Sequence, residues 1–597
     1  MVTLSQALLI ALDHHQAGRV AEAEDIYRRI LGADPEYADA MQLLGVLAAQ
    51  TGQVESAVRR LRLAVALRPD SAGGWSNLAG AEQSAGAVEP AVRLYGHALR
   101  LMPELADAHA SRSAALRRLG RHDAALAAAG QALVLAPDHA AALVNRAAVL
   151  LSQGDSQAAE CCARRSLRLN GRSAVAHATL AAALAAQRRW TDAEAAARES
   201  LMADRNFGEA WEVLGAVLAK LGRFPESLDA FADAARQRPG PSLWAARGTA
   251  LIAMARPDEA AADFERALAE RPQDAGLHWN LGFARLMAGD YAGGWPEFDW
   301  RRHDSRAEPP WRRFSQPTWQ GEALEGRTIL LYAEQGLGDT LQFLRYVPLV
   351  AARGGRVVLE VQPSLLPLMA GMAGMAGMAG PAQVIARGDP LPPFDLECPL
   401  MSLPRAFATV VDDVPATVPY LRADPARVAL WRERLAAAKG LRVGLVWAGN
   451  PRFPGDDQRS PRLAGLRGLL DVPGCRFYGM QMGPGHADLA EAAMPGNFTD
   501  LAPEIADFAD TAAIMANLDL VVSSCTGPAH LAGALGLPLW VALPFSADWR
   551  WMAGRDDSPW YPTARLFRQP APGDWRSVAG RMAAELAALV QRFKPSP

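Results

Sequence analysis

Glycine returns at positions 18, 52, 86, 120, 154 and 222, a beat of 34 residues with one return skipped, and no other feature restricts the fold as tightly. Arg188 stands at the skipped place, Arg256 holds the next, and Gly289 arrives one residue early. Proline keeps the same beat at 35, 69, 103, 137 and 239, with Gly171 and Arg205 at two intermediate places and Pro272 again one residue early. Between these marks the chain reads as helix, turn, helix: 40–50 carries small residues that let helices approach, Gly52 turns the chain, and 54–67 runs helical until the next proline stops it. A unit of this size cannot bury an apolar face alone. Stacked on its neighbours it builds a continuous core, so the first half is expected to be an α-solenoid.

The period, together with Trp75-Ser76-Asn77-Leu78-Ala79-Gly80, resembles the tetratricopeptide repeat family. Eight complete repeats are expected over 3–272, with a ninth from Ala275 through GDYAGGWPEFDWRR capping a first domain at 1–304. The resemblance implies a concave face that takes extended peptides or partner proteins. Asn77, Asn145 and, one residue early, Asn280 share one repeat position with Ser111 and Thr179. Side chains there are candidates to hold a protein acceptor, the plainer alternative being that asparagine is habitual at that position. His14, His97, His109, His122, His139 and His177 show no fixed spacing to carboxylates or cysteines and read as surface residues rather than metal ligands.

Composition narrows the partners. The chain has 597 residues and a net charge of −3, so it carries no basic field to recruit nucleic acid. Its five cysteines are odd in number, scattered and include the adjacent Cys161–Cys162, which suits a reducing compartment. The first residues, MVTLSQALLIALDHHQAGR, lack a basic leader and interrupt their apolar run with Asp13-His14-His15. No stretch reads as membrane-spanning, and a soluble cytoplasmic protein is expected.

After a Trp-, Arg- and Pro-rich segment assigned as a packed linker at 305–326, the texture changes. TILLYA at 328–333 reads as a buried parallel strand, EQGLGDTLQFLRYVPLVAARGG as loop and helix, and VVLEV as a second strand, making a βαβ unit. The loop QGLGDT lacks the lysine of a phosphate-binding Walker loop and has no GxGxxG, so neither a nucleoside triphosphatase nor a dinucleotide reader is indicated. It places Asp339 at the carboxyl end of the first strand, where open α/β sheets bind ligands. The run 369–380 repeats Gly-Met-Ala and carries no chemistry. A second Rossmann-like unit opens with LRVGLVWAGN at 441–450 and leads to DLVVSSCTGPAHLAGALGLPLW at 519–540. There a strand meets a helix at Thr526-Gly527-Pro528, with Thr526 placed as N-cap and Gly527 letting a ligand approach the backbone. Such a helix N-terminus offers free N–H groups to a phosphate.

From Trp319 to about Gln569 the chain resembles glycosyltransferase family 9, the heptosyltransferase group, fused behind tetratricopeptide repeats. The resemblance rests on GLGDTLQFLRYVP (336–348), GLVWAGNP (444–451) with Arg459-Ser460, CTGPAH (525–530), and LPFSADWRWM with SPWYPTARLFRQ. It implies an α/β two-lobed Rossmann-like glycosyltransferase B fold, with an N-terminal lobe at 327–430 and a nucleotide-sugar-binding lobe at 431–597. It also implies an inverting transferase that needs no metal or other cofactor, its donor being a nucleotide sugar. Asp339 becomes the base that deprotonates an acceptor hydroxyl; Asn450, Arg459, Ser460, Cys525, Thr526, Gly527 and His530 become donor-site residues. Gln481 on the donor side and Gln342 on the acceptor side are candidates from their places near predicted strand ends, the alternative being solvated glutamines. Cys525 stands where the family carries an aspartate, and a thiol cannot accept two strong hydrogen bonds as a carboxylate does. Either the sugar differs or transfer is weak or absent, so a non-catalytic scaffold is the alternative. Asp339 has its own alternative as a helix cap, and Asp548 reads as an ion-pair partner of Arg550 or Arg555.

Overall fold

The computed structural model describes residues 3–304, 311–369, 381–436, 440–453 and 455–592. The chain divides into two compact units, Met1–Pro239 and Gly240–Pro597. The first unit is an α-solenoid of fourteen helices, from Leu4–Gln16 to Phe224–Gln237. Each pair closes through a left-handed residue, Gly52 at φ 76° and Gly86 at φ 86° among them, which is why glycine marks the beat. Where the glycine is skipped, Arg188 takes φ 60° in its place. Ala23, Ala57, Ala91, Ala125, Ala159 and Ala193, again 34 apart, are wholly buried where the paired helices touch. At the next such place Ser227 is also buried, and its hydroxyl donates to Gly215 O at 2.7 Å, so no polar group is left unpaired.

A second ring of residues recurs at the fourth position of the first helices. Trp75 Nε1 donates to Pro69 O (2.8 Å) and Trp211 Nε1 to Arg205 O (2.9 Å), while His109 and His177 bond the carbonyls of Pro103 and Gly171 at 2.9 and 3.0 Å. These two histidines hold the place of tryptophan on the 34-residue beat and pin the turn between repeats. Asn145 likewise serves the array: its Nδ2 donates to Ala110 O of the preceding repeat at 2.8 Å.

The second unit begins with four more helices, Pro241–Ala253, Pro257–Glu270, Ala275–Ala288 and Tyr291–Phe298. The turn before them, Arg238–Gly240, has three residues where others such as Asp204–Phe207 have four, and this accounts for the phase slip. The left-handed residue is accordingly Ala255 (φ 55°), not Arg256. The compact-unit division at 239/240 also differs from the expected domain end at 304, for a packing reason. Tyr291, Trp295 and Phe298 are buried among Trp549 and Trp560; Trp560 Nε1 donates to Tyr291 Oη and Trp295 Nε1 to Thr409 O, at 2.9 and 2.8 Å.

Two all-parallel sheets follow. The first holds β1 (Thr328–Tyr332), β2 (Arg356–Val361), β3 (Gln383–Ala386) and β4 (Leu396–Pro399) in the order β3-β2-β1-β4. The second holds β5 (Leu441–Val446), β6 (Cys475–Gly479), β7 (Phe498–Asp500), β8 (Leu520–Ser524), β9 (Leu539–Leu543) and β10 (Ala564–Arg568) in the order β10-β9-β8-β5-β6-β7. The strand order reverses between β1 and β4 in one sheet and between β5 and β8 in the other. Crevices open at such switch points, beyond the carboxyl ends of the strands. The 430/431 lobe division falls inside the helix Pro425–Leu435, which belongs with the second sheet's helices: Arg427 pairs with Asp507 and Asp510 at 2.8 Å, and Asn517 Nδ2 donates to Val428 O.

The linker is packed where it is described: Trp319 is buried and its N–H donates to Glu397 O at 2.8 Å, while Arg312 pairs with Glu360 at 2.7 Å. The Gly-Met-Ala tract lies, after Met369, outside the described residues. One buried ion network ties the repeat end to the first sheet. Arg301 donates to Glu334, at the end of β1, at 2.8 Å, to Asp299 at 2.6 Å and to Ser402 Oγ at 2.9 Å. Burial raises the Glu334 carboxyl above its ordinary value against the pull of Arg301, and opposes the charge of Arg301, which its carboxylate partners nonetheless keep protonated. Among the described residues no helix is long and apolar enough to cross a membrane.

Candidate functional site

The loops after β1, β5 and β8 open onto one cavity of about 1480 Å³ in the second unit. Asp339, Asn450, Arg459, Gln481, Cys525, Thr526, Gly527 and His530 line it, and so does Asn280. The two sheets meet here through glycine. A side chain on Gly338 would strike His530 Cδ2 at 2.7 Å and come within 3.5 Å of Gly527 Cα, so only a bare backbone permits this approach of two helix N-termini.

Asp339 sits in the first turn of the helix Leu337–Phe343 rather than ahead of it, and its carboxylate accepts from Gly336 N–H at 2.7 Å. The other oxygen accepts from Arg550 Nη2 at 2.6 Å. Arg550, only 7 % exposed, is the hub of the site: it also donates to Asp548 (2.9 Å) and to Gln342 Oε1 (2.7 Å). Burial works against its charge, but Asp548 and Asp339 hold it protonated, above the ordinary guanidinium range. Local sequence reading missed Arg550 as a site residue; the only signal was its neighbour Asp548 in ADWRW.

Across the cavity, Arg459 lies over the Phe453 ring at 4.0 Å and donates through Nε to Asp456 at 2.9 Å. Its two terminal amino groups have no hydrogen-bond partner among the described residues, which leaves them for an anion. Thr526 occupies the N-cap position of the helix Gly527–Ala534, but its hydroxyl donates to Ser524 O at 3.3 Å and makes no cap bond. No side chain caps this turn; Pro528 has no N–H and Ala529 N–H donates to Thr526 O at 3.0 Å, which leaves the Gly527 N–H without a partner among the described residues.

His530 accepts or donates at Nδ1 to Tyr561 Oη at 2.8 Å and stacks on Trp551. Burial first, then the nearby Arg550, Arg345 and Arg459 charges, lower its pKa well below the ordinary imidazole value, so the ring is neutral at pH 7. Cys525 is buried, receives Trp551 Nε1–H at 2.9 Å, and has its pKa pushed up to about 11 by burial. A thiol in that state is a poor nucleophile. At pH 7.5 iodoacetamide is expected to label the exposed Cys161 and spare Cys525, which should react only after unfolding, as read by peptide mass spectrometry. Equal labelling of the two would refute this picture of the cavity wall.

Five expected site residues lie away from the cavity or spend their polar groups on the protein itself. Ser460 is buried outside the cavity lining and braces the β5 loop by accepting Gly449 N–H at 2.9 Å. Gln342 is buried and spends its carbonyl oxygen on Arg550. Asn77 and Asn145 belong to the first unit, where Asn145 is committed to the array. Gln481, although at the cavity, uses both ends of its amide on the backbone of Trp447, Ala448 and Met482.

Family models described as tetratricopeptide repeat match residues 14–81 in one case and 112–174, 165–241 and 245–294 in another. The array is built of tetratricopeptide repeats. The tetratricopeptide match at 245–294 lies in the second unit, so true repeats form part of the compact body that holds the cavity. Protein FlbA of Caulobacter vibrioides is 28% identical over 354 residues, 55% of this chain, and the match spans 58% of the length of that relative. Solved structures with similarity include a tetratricopeptide repeat protein from Parabacteroides merdae (18% identity, 41% of this chain and 98% of that one, TM-score 0.34) and the APC/C hetero-tetramer Cut9-Hcn1 (17%, 47% and 55%, TM-score 0.40).

Proposed function

We propose that the second unit is a glycosyltransferase of two-lobed glycosyltransferase B type, moving a sugar from a nucleotide sugar to an acceptor hydroxyl. The observation that carries the reading is the convergence of two glycine-led helix N-termini, the Arg459 guanidinium with its terminal amino groups unpartnered among the described residues, and a carboxylate on one cavity at the switch points of two parallel sheets. The donor diphosphate would lie against Arg459 and the N-terminus of Gly527–Ala534, with neutral His530 offering its Nε2–H when Tyr561 donates to Nδ1. The acceptor oxygen would attack the anomeric carbon as the bond to the diphosphate breaks; Asp339 takes the hydroxyl proton and the nucleoside diphosphate leaves with the bonding electrons. No metal is required in this scheme, because cationic and dipolar protein groups meet the donor charge.

A second reading has a specific observation in its favour. Asp339 is already engaged by Arg550, and Cys525 stands buried where a sugar-binding carboxylate is expected, which suits a scaffold that binds partners through its repeats and has lost transfer.

Nucleotide-sugar binding decides between them. Calorimetry of the full chain against uridine, guanosine, adenosine and thymidine diphosphate sugars, with chelator present, is expected to find a ligand. Arg459→Gln should weaken it roughly tenfold to a hundredfold, the worth of charge-assisted hydrogen bonds. No binding of any member would remove the transferase reading.

A further inference from the structure

The cavity is larger than one substrate needs. Sites for single small ligands run to roughly 300–1,000 Å³, against about 1480 Å³ here. The last repeats supply part of its lining, through Thr249, Ile252, Trp279, Asn280 and Phe283, and the Gly336–Asp339 loop lines the same cavity.

Two of these residues break the pattern of the array. Trp279 is the fifth residue of its helix. In the eight preceding first helices that place is held by residues from Leu8 and Gln42 to Glu212 and Ala245, none of them aromatic. Phe283 is the ninth, a place that Leu12 and Val46 hold in the first two repeats and that only small residues such as Gly80, Ala216 and Thr249 hold in the next six. No earlier repeat puts a ring there. The repeat frame does not need these rings, since the pinning position is filled here by His278, which bonds Pro272 O at 3.0 Å. Spaced four apart, the two side chains share one helix face and form a shelf. Trp279 is 38% exposed, and neither its indole N–H nor the Asn280 amide has a hydrogen-bond partner among the described residues.

We infer that this shelf is the acceptor subsite and that its occupant is a polypeptide segment carrying an apolar residue beside the hydroxyl to be modified; the inference rests on the transferase reading above. The wall offers aromatic and aliphatic surface, one amide able to both donate and accept toward a peptide backbone, and no charged side chain. Anionic headgroups and acidic saccharides find no cation on it. A neutral saccharide would want several hydroxyl partners, whereas Asn280 is the main one, because Thr249 already donates to Ala245 O at 2.9 Å. The surface also belongs to the repeat type that presents extended faces to chains of this kind.

The test uses the full chain, a radiolabelled nucleotide sugar found by the binding screen, an arrayed library of Ser- and Thr-containing peptides, and in parallel neutral oligosaccharides and glycolipid vesicles. Label should pass to peptides with an apolar neighbour. Trp279→Ala should raise the peptide KM at least tenfold with donor affinity within twofold of the parent, and Trp279→Phe should restore part of the loss. A donor that binds with label passing only to saccharide or lipid, label on no acceptor at all, or an unchanged peptide KM in Trp279→Ala would each overturn the peptide subsite. A chain that binds no donor would instead topple the transferase reading beneath it, which the calorimetry reports separately.

Discussion

Asp339→Asn is expected to lower sugar transfer by about a hundredfold to ten-thousandfold, the usual worth of a general base, or about 3–5 kcal/mol of barrier. Asparagine keeps the size of the side chain and can still accept Gly336 N–H. It removes the negative charge opposite Arg550, a buried guanidinium that would then rely on Asp548 and the Gln342 amide. Some loss of stability should therefore accompany the loss of rate, about 1–3 kcal/mol for a weakened buried charge pair. Single-turnover transfer, donor affinity and thermal melting measured side by side separate the two effects. If Arg550→Gln slows transfer as much as Asp339→Asn while Asp339→Asn retains a parental pH profile, Asp339 is a brace for Arg550 and not the base.

Trp295→Ala is expected to cost the second unit about 3–5 kcal/mol, the range for removing a large aromatic from a core. The indole is 2% exposed, packs edge-on against Trp549 and Trp560, and supplies the hydrogen bond to Thr409 O, so deletion leaves both a cavity and an unpaired carbonyl. Guanidinium unfolding should show the transition of the second unit moved to lower denaturant, with the helical transition of the first unit in place; a chain of residues 1–239 serves as the reference for the latter. A single unshifted transition would show that the last repeats are not a structural part of the second unit. By the same packing, a chain ending at 304 would carry Tyr291, Trp295 and Phe298 uncovered.

Much of the array was legible because its demands are local and repeated. A left-handed residue every 34 positions selects glycine, and the small buried residue between paired helices selects alanine. Both leave marks that a reader of one sequence can count. Position 256 was misread because a one-residue shortening at 238–240 is silent until the helix ends are known. In the second half, strands as apolar as β1 and β8 declare themselves, and the loops after them carry the glycines that let backbones meet. What stayed hidden is pairing at distance. Asp339 and Arg550 are 211 positions apart, and nothing in either neighbourhood predicts the other. The fates of Ser460 and Gln342 were equally hidden: a polar residue beside a motif reads as ligand-binding until its partners are seen to be the protein's own backbone or side chains.

The pairing of Arg301 with Glu334 has a bearing on how such a chain can change in length. Whole units of 34 residues gained or lost within Met1–Pro239 would alter the reach of the array and leave every partner of Arg301 in place. The final units have no such freedom. Exchanging them for a generic repeat would leave the buried Glu334 carboxylate without its guanidinium partner at the root of the Asp339 loop, so the array is open to duplication at one end and locked to the sheet-bearing half at the other.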